Sequence, residues 1–272
     1  ALADTADLDR RVAEAVACTD ARVVGLAGML PALTGLGTRP PVGPDQILTT
    51  GHAATVVAMV RTVERALRET GLRWADLRVG VLGHGSIGQA VLALARHRLG
   101  DPRQVLIQDP RHPDTVADLS GADWILGATS GGRILDVATL PPGTVVIDDS
   151  FPRAFDDAAA VRRMQDAADV LLVGGGMIDA GPLLRSSPFP GADALRERFG
   201  ARWLPGCHAE VLLLAARPEL GPTVGAVTPE RAQRIWDAVE ALGWDAPPLH
   251  LGNWEVPAEV VRGVARSASR PR

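Results

Sequence analysis

The chain has 272 residues, 46% hydrophobic and 22% charged, with a net charge of −4. That composition suits a globular protein with a large buried core, and the lack of a basic surplus argues against a nucleic-acid or anionic-membrane role. Two cysteines, at positions 18 and 207, make neither a disulfide framework nor a metal-ligand spacing; lysine is absent, which removes Schiff-base chemistry and the lysine of a phosphate loop. The longest apolar runs, DVLLVGGGMI and EVLLLAA, fall well short of the roughly 20 residues that span a bilayer. The opening ALADTADLDR has no leader pattern. The expectation is a cytoplasmic protein with no metal centre, its oligomeric state left open.

Residues 7–17 have the spacing of an amphipathic helix, with Leu8, Val12, Ala15 and Val16 on one face and Cys18 in the core beside them. RVVGLAGML (22–30) has the texture of an apolar strand, and TGLGTRPPVGP that of a loop. After ILTTG a helix is predicted from His52 to Glu69, closed by Gly71. Beyond Trp74, short apolar runs alternate with helices. LRVGVLG, QVLIQD, DWILGAT, TVVIDDS and DVLLVGGG are strand-like, with a helix from Ile87 to Arg98 between the first two. Runs apolar on both faces and joined by helices imply a parallel sheet. The pattern turns helical from Gly206, and Thr228-Pro229-Glu230 has the cap, proline and first-turn acid of a helix start. RSASRPR reads as a disordered tail. The predicted class is α/β: a doubly wound parallel (Rossmann) sheet in residues 76–204, inserted between two parts of a smaller α/β substrate lobe. Those parts are residues 1–75 and a helical return over 205–272. Such a sheet binds ligands at the carboxyl ends of its strands.

VGVLGHGSIGQAVLALARH places Gly83, Gly85 and Gly88 as G-x-G-x-x-G between a strand and a helix, with His84, Ser86 and Ile87 filling the turn. The first glycine permits the turn, the second admits a pyrophosphate, and the third lets helix and strand pack closely. Asp109 ends the next strand, 21 residues past Gly88, where an acid binds ribose hydroxyls. It repels a 2′-phosphate and so favours NADH, whereas Arg111 can accept the phosphate of NADPH. His84 either approaches a phosphate or lies in solvent. Three later stretches follow strands: GATSGG with Thr129 and Ser130, IDDSFPR with Asp149, and GGGM with Gly175 and Met177. Each either lines a nicotinamide pocket or is an ordinary strand-to-helix loop.

Together ARVVGLAGMLPALTG, ILTTGHAATVVA, the glycine fingerprint, GCHAEVLLLA and VTPERAQRIWDAVEALGW resemble the aldehyde-forming long-chain acyl-[acyl-carrier-protein] reductases of bacteria nearly end to end. The resemblance implies a thioester reductase. A cysteine at the position of Cys207 takes the acyl group from the phosphopantetheine of an acyl carrier protein, or from acyl-CoA, and hydride from NADPH releases an aldehyde. A thiolate is a strong nucleophile, and a helix starting after Pro205-Gly206 is expected to lower the thiol pKa. Glu210, one turn along, orients the thiol, relays a proton or caps its own helix. His208 points away from Cys207, which leaves His52 as the better-placed histidine. Asp109 stands where the family carries an arginine, and His52 where it carries an asparagine.

Two rivals stay open. One is a different Rossmann oxidoreductase that reduces a ketone or imine by direct hydride transfer. The other is a non-catalytic dinucleotide-binding protein. On the leading reading an acidic carrier protein docks on an arginine rim for which Arg153, Arg185, Arg196 and Arg198 are candidates.

Overall fold

The computed structural model describes residues 5–109, 118–181 and 203–269. Its centre is a five-stranded, all-parallel sheet: β3 (Arg78–Leu82), β4 (Gln104–Gln108), β5 (Trp124–Gly127), β6 (Val145–Asp148) and β7 (Leu171–Gly174), in the order β4-β3-β5-β6-β7. All five lie inside residues 76–204. The fold is therefore a doubly wound α/β fold, and its strand order reverses direction beside β3, where such sheets open a crevice. β5, β6 and β7 are buried along their whole length, as strands covered on both faces must be. The helix α4 (Ser86–Leu99) makes the crossover from β3 to β4, and α5 (Asp157–Asp166) lies between β6 and β7.

The segments outside the sheet divide between two hydrophobic clusters. α3 (His52–Thr70) buries twelve of its nineteen residues, too many for an amphipathic surface helix. It packs on α4, on α6 (Gly206–Ala216) and on α7 (Pro229–Ala241). These helices and α8 (Ala258–Ala268) share one hydrophobic core with the sheet. Lysine-free chemistry is visible here: Arg61 and Arg98 both lie over the buried Trp236 ring, 3.8 and 4.4 Å from its centre. A second, smaller cluster of Val12, Val16, Leu26 and Leu48 holds α1 (Thr5–Ala17) against β1 (Val23–Gly25) and β2 (Ile47–Thr49), which pair in parallel. No helix among the described residues is long and apolar enough to cross a membrane.

Several sequence expectations change. The run 22–30 forms only the three-residue β1, because Gly28 takes a positive φ and Pro31 starts the short helix α2 (Leu30–Leu33). Cys18 is exposed, not core: α1 ends at Ala17 and the chain turns outward. Ala15 is exposed as well, so the buried face of α1 is Val12 and Val16. RSASRPR is not wholly a tail, since α8 continues to Ala268.

The two crossing helices that matter most meet through glycines. A Cβ on Gly206 would lie 2.5 Å from the Thr55 Cα, and one on Gly51 would lie 2.3 Å from the Cys207 Cα. The first turns of α3 and α6 therefore touch backbone to backbone. Helix propensity alone makes Gly206→Ala favourable by up to about 1 kcal/mol. The overlap with Thr55 reverses the sign, and a net destabilisation of about 1–3 kcal/mol is expected. Thermal denaturation of G206A tests this; an unchanged or raised Tm rules the close crossing out.

Candidate active site

A cleft of about 550 Å³ opens over the carboxyl ends of the sheet. The first turns of three helices reach it: Gly85, Ser86 and Ile87 of α4, His52 and Thr55 of α3, and Gly206, Cys207 and His208 of α6. Each helix brings the positive end of its dipole to one concavity. The loops after β5, β6 and β7 supply Thr129 and Ser130, Asp148 and Asp149, and Gly175 and Gly176; Met177 follows. Leu26, Met29, Pro31 and Leu36 add an apolar wall.

The glycine turn has the geometry its spacing implies. Gly83 has φ +90°, and a Cβ there would meet the Ala128 carbonyl at 2.5 Å. A Cβ on Gly88 would fall 1.9 Å from the Gly83 oxygen, so α4 rests directly on the turn that precedes it. Asp109 is only 3% exposed and accepts the His84 backbone N–H at 3.1 Å. One carboxylate oxygen thus braces the glycine turn. His84 is half-buried, and its carbonyl accepts from Gln89. Arg111 lies outside the described residues, as do Arg185, Arg196 and Arg198. Arg153 is committed to its own lobe: its guanidinium lies 2.9 Å from Asp157 and 3.7 Å from Asp148.

Cys207 lines the same cleft as Gly83, Gly85 and Ser86. The short antiparallel pair β8 (Met177–Asp179) and β9 (Trp203–Pro205) carries it there, and the Gly206 N–H donates to the Gly176 carbonyl at 2.8 Å. The lowered thiol pKa expected from the helix start is not found. Burial pushes the Cys207 thiol up to about 11, helped by the charge of Asp149 and, less, of Glu210. The backbone N–H groups of Cys207 and His208 pull the other way and are outweighed.

Glu210 is also not placed as expected. It is fully buried (0% exposed) and its oxygens are occupied elsewhere. Thr49 Oγ1 donates to Oε1 at 2.6 Å, as do the Thr223 N–H at 3.2 Å and Arg231 Nη2 at 3.4 Å. Oε2 accepts the Ala54 N–H at 3.0 Å. Ala54 is in the first turn of α3, so Glu210 caps that helix and not its own. It ties α6, β2, α3 and α7 together, and none of its hydrogen bonds among the described residues goes to Cys207.

Burial lowers the pKa of His52 and of His208, and both line the cleft; Glu210 partly opposes the shift at His52, whose Nδ1 is buried with no hydrogen-bond partner among the described residues. His250, which the sequence reading passed over, also lines it. It is 4% exposed, stacks on Trp203 with ring centres 4.6 Å apart, and its pKa is held down at about 4, chiefly by burial. Its Nδ1 lies 3.1 Å from the Gly252 carbonyl, which can only accept. A lone histidine between two prolines and a glycine turn gave no motif to find it by. Asp148 and Asp149 end β6 with opposite fates. Asp148 is buried and accepts the Ser150 and Ala154 N–H groups, each at 3.2 Å. Asp149 is half-buried, and burial together with the adjacent Asp148 pushes its carboxyl up from 3.8 to about 7.

No protein-family model matches the chain. Among solved structures the chain is similar to the NAD-dependent malic enzyme of Thermotoga maritima, over 87% of this chain and 71% of that one, at 13% identity and a TM-score of 0.40. It is similar to the NAD+-bound 3-phosphoglycerate dehydrogenase of Entamoeba histolytica over 94% and 79%, at 14% identity and a TM-score of 0.38. The likeness to Haloferax mediterranei glucose dehydrogenase covers 44% of this chain and 42% of that one, less than half its length, at 20% identity and a TM-score of 0.31. These are partial likenesses of architecture.

Two outcomes follow from the buried groups. Glu210→Ala leaves Arg231 buried without its counter-charge and is expected to cost about 3–5 kcal/mol, measured by urea unfolding. Asp149, with its pKa raised on folding, contributes stability that is full below about pH 4 and lost as pH rises through 7. Asp149→Asn is therefore expected to be more stable than the parent at pH 8, by on the order of 2 kcal/mol, with the gap closing by pH 4. A gap that stays constant across Tm measurements from pH 4 to 8 contradicts the raised carboxyl.

Proposed function

We propose that the chain is a nicotinamide-dinucleotide-dependent oxidoreductase that reduces an acyl thioester to an aldehyde through an acyl-cysteine at Cys207. One observation carries the reading: Cys207 stands in the same cleft as the glycine turn Gly83–Ser86. The residues present fit a dinucleotide. The crowding at Gly83 and Gly88 shows a turn that tolerates no side chain, and it delivers the start of α4 to the cleft as an anion site. Asp109 on the adenosine side favours NADH over NADPH, since a 2′-phosphate would meet its carboxylate. Thr129, Ser130, Gly175 and Met177 line the same cleft, which supports a role for them beside the nicotinamide half. A bound reduced nicotinamide supplies hydride to a carbonyl carbon.

The chain's own residues do the rest. Cys207 holds the acyl group, which keeps the carbonyl in place between the two half-reactions. The Cys207 and His208 N–H groups at the start of α6, which already face the sulfur, offer donors to an oxyanion. The wall of Leu26, Met29, Pro31 and Leu36 suits an apolar acyl chain, delivered by an acyl carrier protein or as acyl-CoA.

A second reading has its own support. With its thiol up at about 11, Cys207 is protonated at neutral pH, and Asp149, near 7, can hold a proton to give to a carbonyl or imine reduced directly. Mass analysis of the intact protein separates the two. Incubated with an acyl-CoA and no cofactor, the parent is expected to gain one acyl group, to lose it as aldehyde on adding NADH, and to gain none as Cys207→Ala. The exposed Cys18 is retained in both proteins as the internal control. NADH-dependent turnover of a ketone by Cys207→Ala at the parent rate would establish direct reduction instead.

A further inference from the structure

Two consecutive acids close β6, and the fold spends only one of them. Asp148 is consumed by the Ser150 and Ala154 N–H groups and by Arg153. Asp149 has no hydrogen bond to its carboxylate among the described residues, although it lines the cleft. Its place is firm. The Asp149 N–H donates to the Gly127 carbonyl at 2.9 Å, which extends the β5–β6 ladder by one residue. Its carboxylate fills the space where Gly176 lacks a side chain; a Cβ there would sit 1.8 Å from Oδ1. The Gly176 carbonyl accepts the Gly206 N–H, so this carboxylate stands beside the first turn of α6, where Cys207 is. A carboxylate and a thiol thus line one cleft, and the thiol feels the carboxylate's charge.

We propose that Asp149 is the proton acceptor for the Cys207 thiol during acyl transfer, and the donor that protonates the departing thiol of the acyl carrier. This deepens the thioester reading and rests on it. In the step, the Cys207 S–H bond breaks and its proton goes to the Asp149 carboxylate while Sγ bonds to the thioester carbonyl carbon. The carbon–sulfur bond to the donor then breaks, and the donor's sulfur takes the proton from Asp149. Nothing is oxidised or reduced, and Asp149 ends as it began.

The other groups around the thiol are worse placed for this role. Glu210 is fully engaged in its own hydrogen bonds. Asp148 is engaged and Arg153 carries no lone pair to offer. His52 and His208 have their pKa values lowered by burial, and His250 is held near 4, so burial weakens each of them as a base. The carboxyl near 7 and the thiol near 11 differ by about four units, so transfer between them is uphill but far within reach of a turnover step.

The test exploits two reactions of one sulfur. Iodoacetamide consumes only the thiolate that exists beforehand, whereas acylation from octanoyl-coenzyme A uses the proton acceptor. Asp149→Asn removes a negative charge beside the thiol, so alkylation of Cys207 at pH 7 is expected to rise, by roughly tenfold for one unit of thiol pKa. Acylation of the same protein is expected to fall by about a hundredfold or more. Both rates are read by peptide mass mapping, with Cys18 as the reference site, on full-length protein whose folding is checked by circular dichroism. In the parent, acylation is expected to rise with pH through about 7, and this limb to vanish in the variant. Opposite movement of the two rates supports the proposal. Movement in the same direction, or no movement, makes Asp149 a mere charge or spacer and overturns it. If the parent itself takes no acyl group, the thioester reading fails and the role of Asp149 falls with it.

Discussion

The carboxylate of Glu210 is the constraint on which the cleft depends. It is fully buried, and its four hydrogen-bond partners come from β2, the start of α3, the loop at Thr223 and α7. A buried charge is tolerable only when its geometry is complete, and losing any partner leaves a large desolvation penalty uncompensated. The four segments are therefore held in one arrangement or the site is lost. Because Glu210 rides on α6 one turn beyond Cys207, the same contacts set the height at which the thiol enters the cleft. The glycines at 51 and 206 make that arrangement sterically allowed, and the carboxylate makes it specific.

Electrostatics in the cleft runs against simple expectation. Three helix starts converge there, and any of them favours an anion. Yet the thiol at the start of α6 is pushed up, because burial removes the solvation a thiolate needs and Asp149 adds a like charge. Dipole effects of helix ends are worth about 0.3–1 kcal/mol, rising to about 2 in partly buried sites, while desolvation of a buried charge can move a pKa by several units. The larger effect wins. The histidines follow the same rule, and burial lowers the pKa of each. The resting cleft thus has its positive potential supplied by backbone N–H groups, with Arg153 held at the margin by Asp148 and Asp157.

What was legible in the sequence is what depends on neighbours in the chain. The glycine turn follows from local backbone geometry, so Gly83, Gly85 and Gly88 could be placed before any fold was known. The fully apolar strands and the capped helix at Thr228 were legible for the same reason. Glu210 was noticed, yet its role was not readable. Its partners Thr49 and Ala54 lie 161 and 156 residues away, and helix periodicity relates it only to Cys207. His250 was invisible because it enters the cleft from a two-residue strand with no pattern around it. Cys18 and the run 22–30 failed at boundaries: one residue past a helix end, and a glycine that turns a strand short. The thiol pKa failed because burial is a property of the packed molecule and helix position is not.

Asp149 is where the two chemical readings meet. A carboxyl near neutrality can take a proton from a thiol or give one to a reduced carbonyl oxygen, and the same burial that raises it raises Cys207. Lowering the thiol pKa by removing Asp149 would therefore gain thiolate and lose the proton acceptor together. A site that used a standing thiolate would have no reason to keep a desolvated carboxylate against Gly176. A site that only protonated a carbonyl would have no reason to thread a cysteine between two glycines at the start of a helix. On the acyl-transfer proposal both costs are returned, since the thiol is charged only while it attacks and the carboxylate is neutral only while it carries the proton between the two sulfurs.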